Sequence, residues 1–176
     1  MDVRSSPYSK YAPQFNRKAI KEKLEENRVH YNFLGDSFGA RQIDPNLCFE
    51  DGIVDFNKVK ESDKFKTAFN KVIDNINGAN IVLMCSEKEP IDCHRSILIS
   101  NAFYEEGINI EHILDNGEIE TQKDLENRLL SLYKLPRKSE VTLDFFSKNS
   151  GNSKLNNLKQ AYEKRNRDVS YNITSK

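Results

Sequence analysis

The chain has 176 residues, 37% apolar and 31% charged, and its 27 basic and 27 acidic side chains leave no formal net charge. That fits one domain with a tail, since a domain takes roughly 100–200 residues, and the zero net charge excludes a global field for nucleic acid or anionic lipid, leaving anion recognition to local clusters. No apolar run nears the roughly 20 residues of a membrane helix, Met1-Asp2-Val3-Arg4-Ser5-Ser6 lacks a signal-peptide core, and three cysteines without CxxC spacing argue against a secreted disulfide framework, so the chain reads as cytoplasmic, thiol-reduced and not bound to membrane.

In chain order, Asp2–Ser5 reads as a very short extended piece running into a loop with Pro7 and Pro13. A helix is expected from Asn16, capped by that residue, with Ile20 and Leu24 inward. Val29–Leu34 alternates as a strand and Gly35–Gly39 ends it. The polar stretch Ala40–Gly52 is the expected lid. Phe56, Val59, Phe65, Ala68, Phe69, Val72 and Ile73 recur at helical spacing, predicting a short helix and then one over Asp63–Asn75. Ala79–Cys85 is the most apolar run and predicts a strand buried on both faces, as in a parallel sheet. A loop, a helix capped by Asp92, a strand over Ile108–Leu114 and a helix over Thr121–Tyr133 follow. Alternating strands and helices predict an α/β three-layer sandwich, its mostly parallel sheet carrying helices on both faces, over residues 1–135. Residues 136–176 form a polar extension, partly disordered, in which Val141, Leu143, Phe145 and Phe146 pack back and Leu155–Tyr162 is a short helix.

In a parallel sheet, ligands bind outside the carboxyl ends of the strands. Cys85 sits at such an end, followed by a polar loop and a helix start whose backbone N–H groups favour anions and thiolates. Lys88, His94 and Arg95 add charge there, and Cys93 is a second thiol. A cysteine ending an apolar strand is most often a small buried residue, but Cys93-His94-Arg95 within one helical turn is a rarer cluster. Metal ranks low and no metal or cofactor is assigned, because ligands at adjacent helix positions 93 and 94 diverge and no fourth ligand is evident. A redox pair of Cys85 and Cys93 ranks above metal. The second candidate is Arg4, Ser5, Ser9 and Lys10, which offer a guanidinium, hydroxyls and an ammonium to a phosphate or carboxylate; Ser-rich turns before prolines are equally ordinary loop chemistry.

Asp2-Val3-Arg4-Ser5-x-Pro7-x-Ser9-Lys10, Met84-Cys85-Ser86-Glu87-Lys88, Cys93-His94-Arg95 and His112-Ile113 together resemble the domain of unknown function 488 family, from Asp2 to about Leu130. The resemblance implies an α/β three-layer fold and, position by position, puts the family's characteristic residues on Arg4, Ser5, Pro7, Ser9, Cys85, Glu87, Lys88, Cys93, His94 and Arg95. Lys10 stands where family members usually have Arg, which exchanges a bidentate contact for a point charge. Family members usually open with a further strand, a Gly-His-Ser turn and a helix, whereas this sequence starts at Met1-Asp2, which is expected to leave the site incomplete and a sheet edge available for a homo-oligomer.

The resulting expectation is a domain that binds a phosphate-bearing ligand, a nucleotide or nucleic-acid end. Arg4, Lys88 and Arg95 hold the anion, and Ser5 donates. Cys85 is the nucleophile of a transfer or hydrolysis, His94 the acid/base and Glu87 its orienting group. The alternatives are thiol redox or sulfur transfer through Cys85 and Cys93, and a non-enzymatic nucleic-acid-binding module, whose binding weakens steeply with salt.

Overall fold

The computed structural model describes residues 1–76, 78–136 and 150–174, so Val141, Leu143, Phe145 and Phe146 lie outside the described residues. The chain forms two compact units, Met1–Ser86 with the segment from Tyr171, and Glu87–Ser170.

In the first unit, Met1–Val3 is the innermost extended piece. Asp2 bridges Phe33 and Met84, in parallel with both. Asp2 N–H donates to Asn32 O (2.8 Å) and Leu34 N–H to Asp2 O (2.9 Å) on one side, while Met84 N–H donates to Met1 O (2.8 Å) and Val3 N–H to Met84 O (3.1 Å) on the other. Around it lie α1 (Arg17–Glu26), α2 (Gly35–Phe38), α3 (Phe56–Glu61) and α4 (Asp63–Asn75). Helix α4 begins where Ser62 Oγ accepts from Phe65 N–H, and its apolar stripe buries Phe65, Ala68 and Val72. Phe38 of α2 meets Phe65 with ring centroids 5.0 Å apart. The expected lid is instead partly pinned: it holds a 3₁₀ turn at Pro45–Leu47, and the buried Cys48 bridges Val54. Asn16 precedes α1 but does not cap it through its side chain; Asn16 Oδ1 accepts from Ser9 N–H (2.6 Å).

In the second unit a 3₁₀ turn (Pro90–Asp92), a π turn (Arg95–Ser100) and α5 (Asn101–Glu105) follow one another. Strands β1 (Glu111–Ile113) and β2 (Ile119–Thr121) make an antiparallel hairpin, His112 opposite Glu120. Gly117 turns it at φ +83°, a conformation that favours glycine. Helix α6 (Gln122–Leu132) starts at Thr121, whose side chain accepts from Asp124 N–H, and buries Gln122, Leu125, Leu129 and Leu130. Helix α7 (Ser150–Val169) buries Ala161 and Asn166. A buried polar chain runs through this core. His112 Nε2 donates to Gln122 Oε1 (2.7 Å), Gln122 Nε2 donates to Tyr162 Oη (2.8 Å), and Ser96 Oγ lies 3.5 Å from His112 Nδ1. Burial lowers the His112 pKa, the Gln122 hydrogen bond opposes that, and the charge of Arg95 adds to the lowering.

The fold is thus mixed α/β, and it departs further from expectation in its sheet and in its last helix. Among the described residues the one ladder longer than a bridge is antiparallel, and parallel pairing is confined to the bridges at Asp2, so the expected mostly parallel three-layer sheet is not drawn. Val82, expected inside a strand buried on both faces, is 62% exposed; apolar composition does not distinguish a central strand from an extended piece paired along one side. The expected short helix at Leu155–Tyr162 is a 20-residue helix. Its Arg165 pairs with Asp92 and donates from Nε to Ile91 O (2.9 Å), so Asp92 forms an ion pair rather than a helix cap. No helix among the described residues is long and apolar enough to cross a membrane.

Candidate functional site

The first candidate site is built on the extended segment at the start of the first unit. In extended backbone, residues two apart share a face, and Asp2 and Arg4 do so. Arg4 Nε donates to Asp2 Oδ1 (2.9 Å) and Arg4 Nη2 to Asp2 Oδ2 (2.7 Å), a bidentate pair with Asp2 fully buried. Tyr31 Oη donates to Asp2 Oδ2 (2.7 Å), and Arg4 Nη1 donates to Phe15 O (2.9 Å). Burial alone would raise the Asp2 pKa, but hydrogen bonds from the Arg4 side chain, Tyr31 and the Arg4 backbone outweigh it and hold the carboxyl below its ordinary value. Burial and the same carboxylate raise the Tyr31 pKa. Arg4 is raised in turn, chiefly by its hydrogen bonds to Asp2. Cys85 is the weakest of the groups that raise Arg4, which puts the half-buried sulfur within electrostatic reach of the guanidinium.

Close packing holds this segment in place. A Cβ on Gly35 would come 2.1 Å from Arg4 O, and one on Gly39 would come 2.4 Å from Ser5 Oγ. Ser5 Oγ accepts from Arg41 N–H (2.9 Å). Ser9 shapes a turn, its Oγ accepting from Tyr11 and Ala12 N–H (3.2 Å each), and Lys10 is exposed. A groove of about 1350 Å³ opens within the same unit, with Asp2, Tyr31, Phe33 and Met84 in its wall.

The second candidate site is the loop that opens the second unit. Cys93 Sγ donates to Glu87 Oε2 (3.3 Å) and accepts from Arg95 N–H (3.4 Å). Arg95 Nη1 donates to Glu87 O (3.2 Å). The donor atoms of Glu87, Cys93 and His94 all lie within 4.8 Å of one another. Cys93 and His94 are buried, whereas Glu87 is exposed. Cys93 is extended (φ −121°, ψ 134°) and His94 is the first helical residue (φ −59°, ψ −25°), so the expected divergence of adjacent helical ligands does not apply. Lys88 lies apart from this cluster in its contacts, ion-paired with Asp115 at 2.6 Å, and that hydrogen bond raises its pKa.

Of the residues singled out in the sequence, Arg4 and Cys85 come within electrostatic reach of each other in the first unit, while Glu87, Cys93, His94 and Arg95 gather in the second. Sequence reasoning missed Asp2 and Tyr31 as the groups that fix Arg4. The i, i+2 spacing of Asp2 and Arg4 carried the signal for one; nothing local marked Tyr31. The family described as Domain of unknown function DUF488 matches residues 1–102, ending short of His112. No curated protein and no solved structure matches the chain.

Proposed function

This chain belongs to the Domain of unknown function DUF488 family, and we propose that it binds a phosphate-bearing ligand at the Arg4 end of its first unit, beside Cys85. The observation that carries the reading is a guanidinium fixed by a buried carboxylate within electrostatic reach of a half-buried thiol. Three of the five Arg4 N–H groups make the hydrogen bonds described, and a ligand anion takes the remaining two. A guanidinium oriented in advance loses less entropy on capturing an anion than a mobile one.

In this reading the extended pieces at Asp2, Phe33 and Met84 serve as the carboxyl edge of a small parallel sheet. The chemistry open to Cys85 is transfer: its sulfur bonds to phosphorus, the phosphorus–oxygen bond to the leaving group breaks, and the leaving oxygen takes up the thiol proton. Water then cleaves the sulfur–phosphorus bond, restoring the thiol and releasing phosphate. All three cysteines are thiols, which fits a reducing compartment such as the cytoplasm.

The test is protection of Cys85 from iodoacetamide, read at that residue by peptide mass mapping. Inorganic phosphate slows Cys85 alkylation relative to chloride at equal ionic strength. An unchanged rate at every phosphate concentration contradicts the proposal.

A further inference from the structure

We propose that Glu87, Cys93 and His94 form a binding site for a zinc-class divalent cation within the second unit. This goes beyond the anion reading, and none of the three residues takes part in the Asp2–Arg4–Tyr31 arrangement.

The donor set is one thiol sulfur, one imidazole nitrogen and one carboxylate oxygen. That mixture suits zinc, which takes sulfur, nitrogen and oxygen ligands, and does not suit magnesium or calcium, which take oxygen. The spacing suits it as well. With zinc–sulfur near 2.3 Å and zinc–oxygen near 2.0 Å, two tetrahedral ligands stand about 3.5 Å apart. The Cys93 sulfur and the Glu87 oxygen stand 3.3 Å apart, and the widest separation in the trio is within 4.8 Å. Small rotamer adjustments therefore bring all three onto one ion.

The backbone makes this convergence possible. The 3₁₀ turn at Pro90–Asp92 delivers Cys93 in extended conformation, and the helical path begins only at His94. Two adjacent residues thus reach one point that they could not share on a continuous helix. The two softer donors, Cys93 and His94, are buried, and the carboxylate is exposed, so an ion enters from the Glu87 side.

Binding exchanges a proton for the metal. The Cys93 proton, now shared with Glu87 Oε2, leaves to solvent as the sulfur–metal and oxygen–metal bonds form. Thiolate and carboxylate together neutralise the dication, and the neutral imidazole adds a third bond.

The experiment is a titration of the full, reduced, chelator-stripped chain with Co²⁺, followed by absorption, and then by Zn²⁺ in competition. The expected result is a sulfur-to-cobalt charge-transfer band with intense tetrahedral ligand-field bands, both abolished by stoichiometric Zn²⁺. Cys93→Ser removes the charge-transfer band. Glu87→Gln and His94→Gln each weaken cobalt binding by at least about tenfold, the cost already met on losing an outer-shell partner. Circular dichroism confirms that each variant is folded, and should Cys93→Ser not fold, the other two carry the test. Absence of the charge-transfer band in the folded wild type overturns the inference, as does its persistence in Cys93→Ser, or unchanged affinity in both Glu87→Gln and His94→Gln. Phosphate protection of Cys85 is read separately, so either proposal can fail while the other stands.

Discussion

Asp2 shows how much one side chain sets in this molecule. It is fully buried, and its two oxygens receive Arg4 and Tyr31. Removing one partner of a buried pair leaves the other charge uncompensated, at a cost of about 3–5 kcal/mol. Asp2→Ala is therefore expected to lower the unfolding free energy from urea titration by an amount in that range, with Arg4 losing its orientation. The pH dependence has a definite sign. Because the folded-state pKa of Asp2 lies below its unfolded value of about 3.9, its stabilisation is complete above that value and is lost as pH falls through the folded pKa. Urea midpoints measured from neutral to acid pH should fall below about pH 4 in the wild type and fall less steeply in Asp2→Asn. At this scale the sequence was informative about identity and poor about partnership. Arg4, Cys85, Cys93 and His94 stand out in the sequence, and Glu87, expected to orient His94, accepts a hydrogen bond from Cys93. That contact depends on the extended backbone at Cys93, which periodicity does not report.

At the scale of elements, close backbone approach decides where the Arg4 segment sits. Gly35 opens α2 directly against the carbonyl of Arg4, where a Cβ would come within 2.1 Å of a backbone atom. No side chain can rotate away to relieve that contact. Gly35→Ala should displace either α2 or the Arg4 segment, with a loss of about 1–3 kcal/mol in chemical unfolding, the usual cost of overpacking. An unaltered midpoint would mean that the segment is not held this way. The helices α4 and α6 were legible from the spacing of Phe65, Ala68 and Val72, and of Leu125 and Leu129. The strands were not. Residues 29–34 and 79–85 have strand composition, yet their pairing with Met1–Val3 amounts to single parallel bridges at Phe33 and Met84. Pairing is a non-local property, and composition reports only that a segment favours extension.

Across the whole molecule, the C-terminal residues are divided between the two units. Helix α7 belongs to the second unit, and the residues from Tyr171 belong to the first. Val54 N–H donates to Tyr171 O (2.9 Å) and Ile173 N–H donates to Gly52 O (3.0 Å). Deleting residues 171–176 removes both bonds, each worth about 0.5–1.5 kcal/mol, and should lower the thermal midpoint measurably; an unchanged midpoint would show that the segment adds nothing. Low apolar content hid α7 because a helix that buries few positions, such as Ala161 and Asn166, has little hydrophobic signature. The central claim is that Arg4, fixed by Asp2, presents an anion to Cys85. The most direct measurement is the Cys85 alkylation rate, with and without inorganic phosphate, in wild type and in Arg4→Lys. Phosphate should protect the wild type and lose most of that effect in Arg4→Lys, because a lysine lacks the planar fork. Equal protection in both proteins, or none in either, would contradict the account.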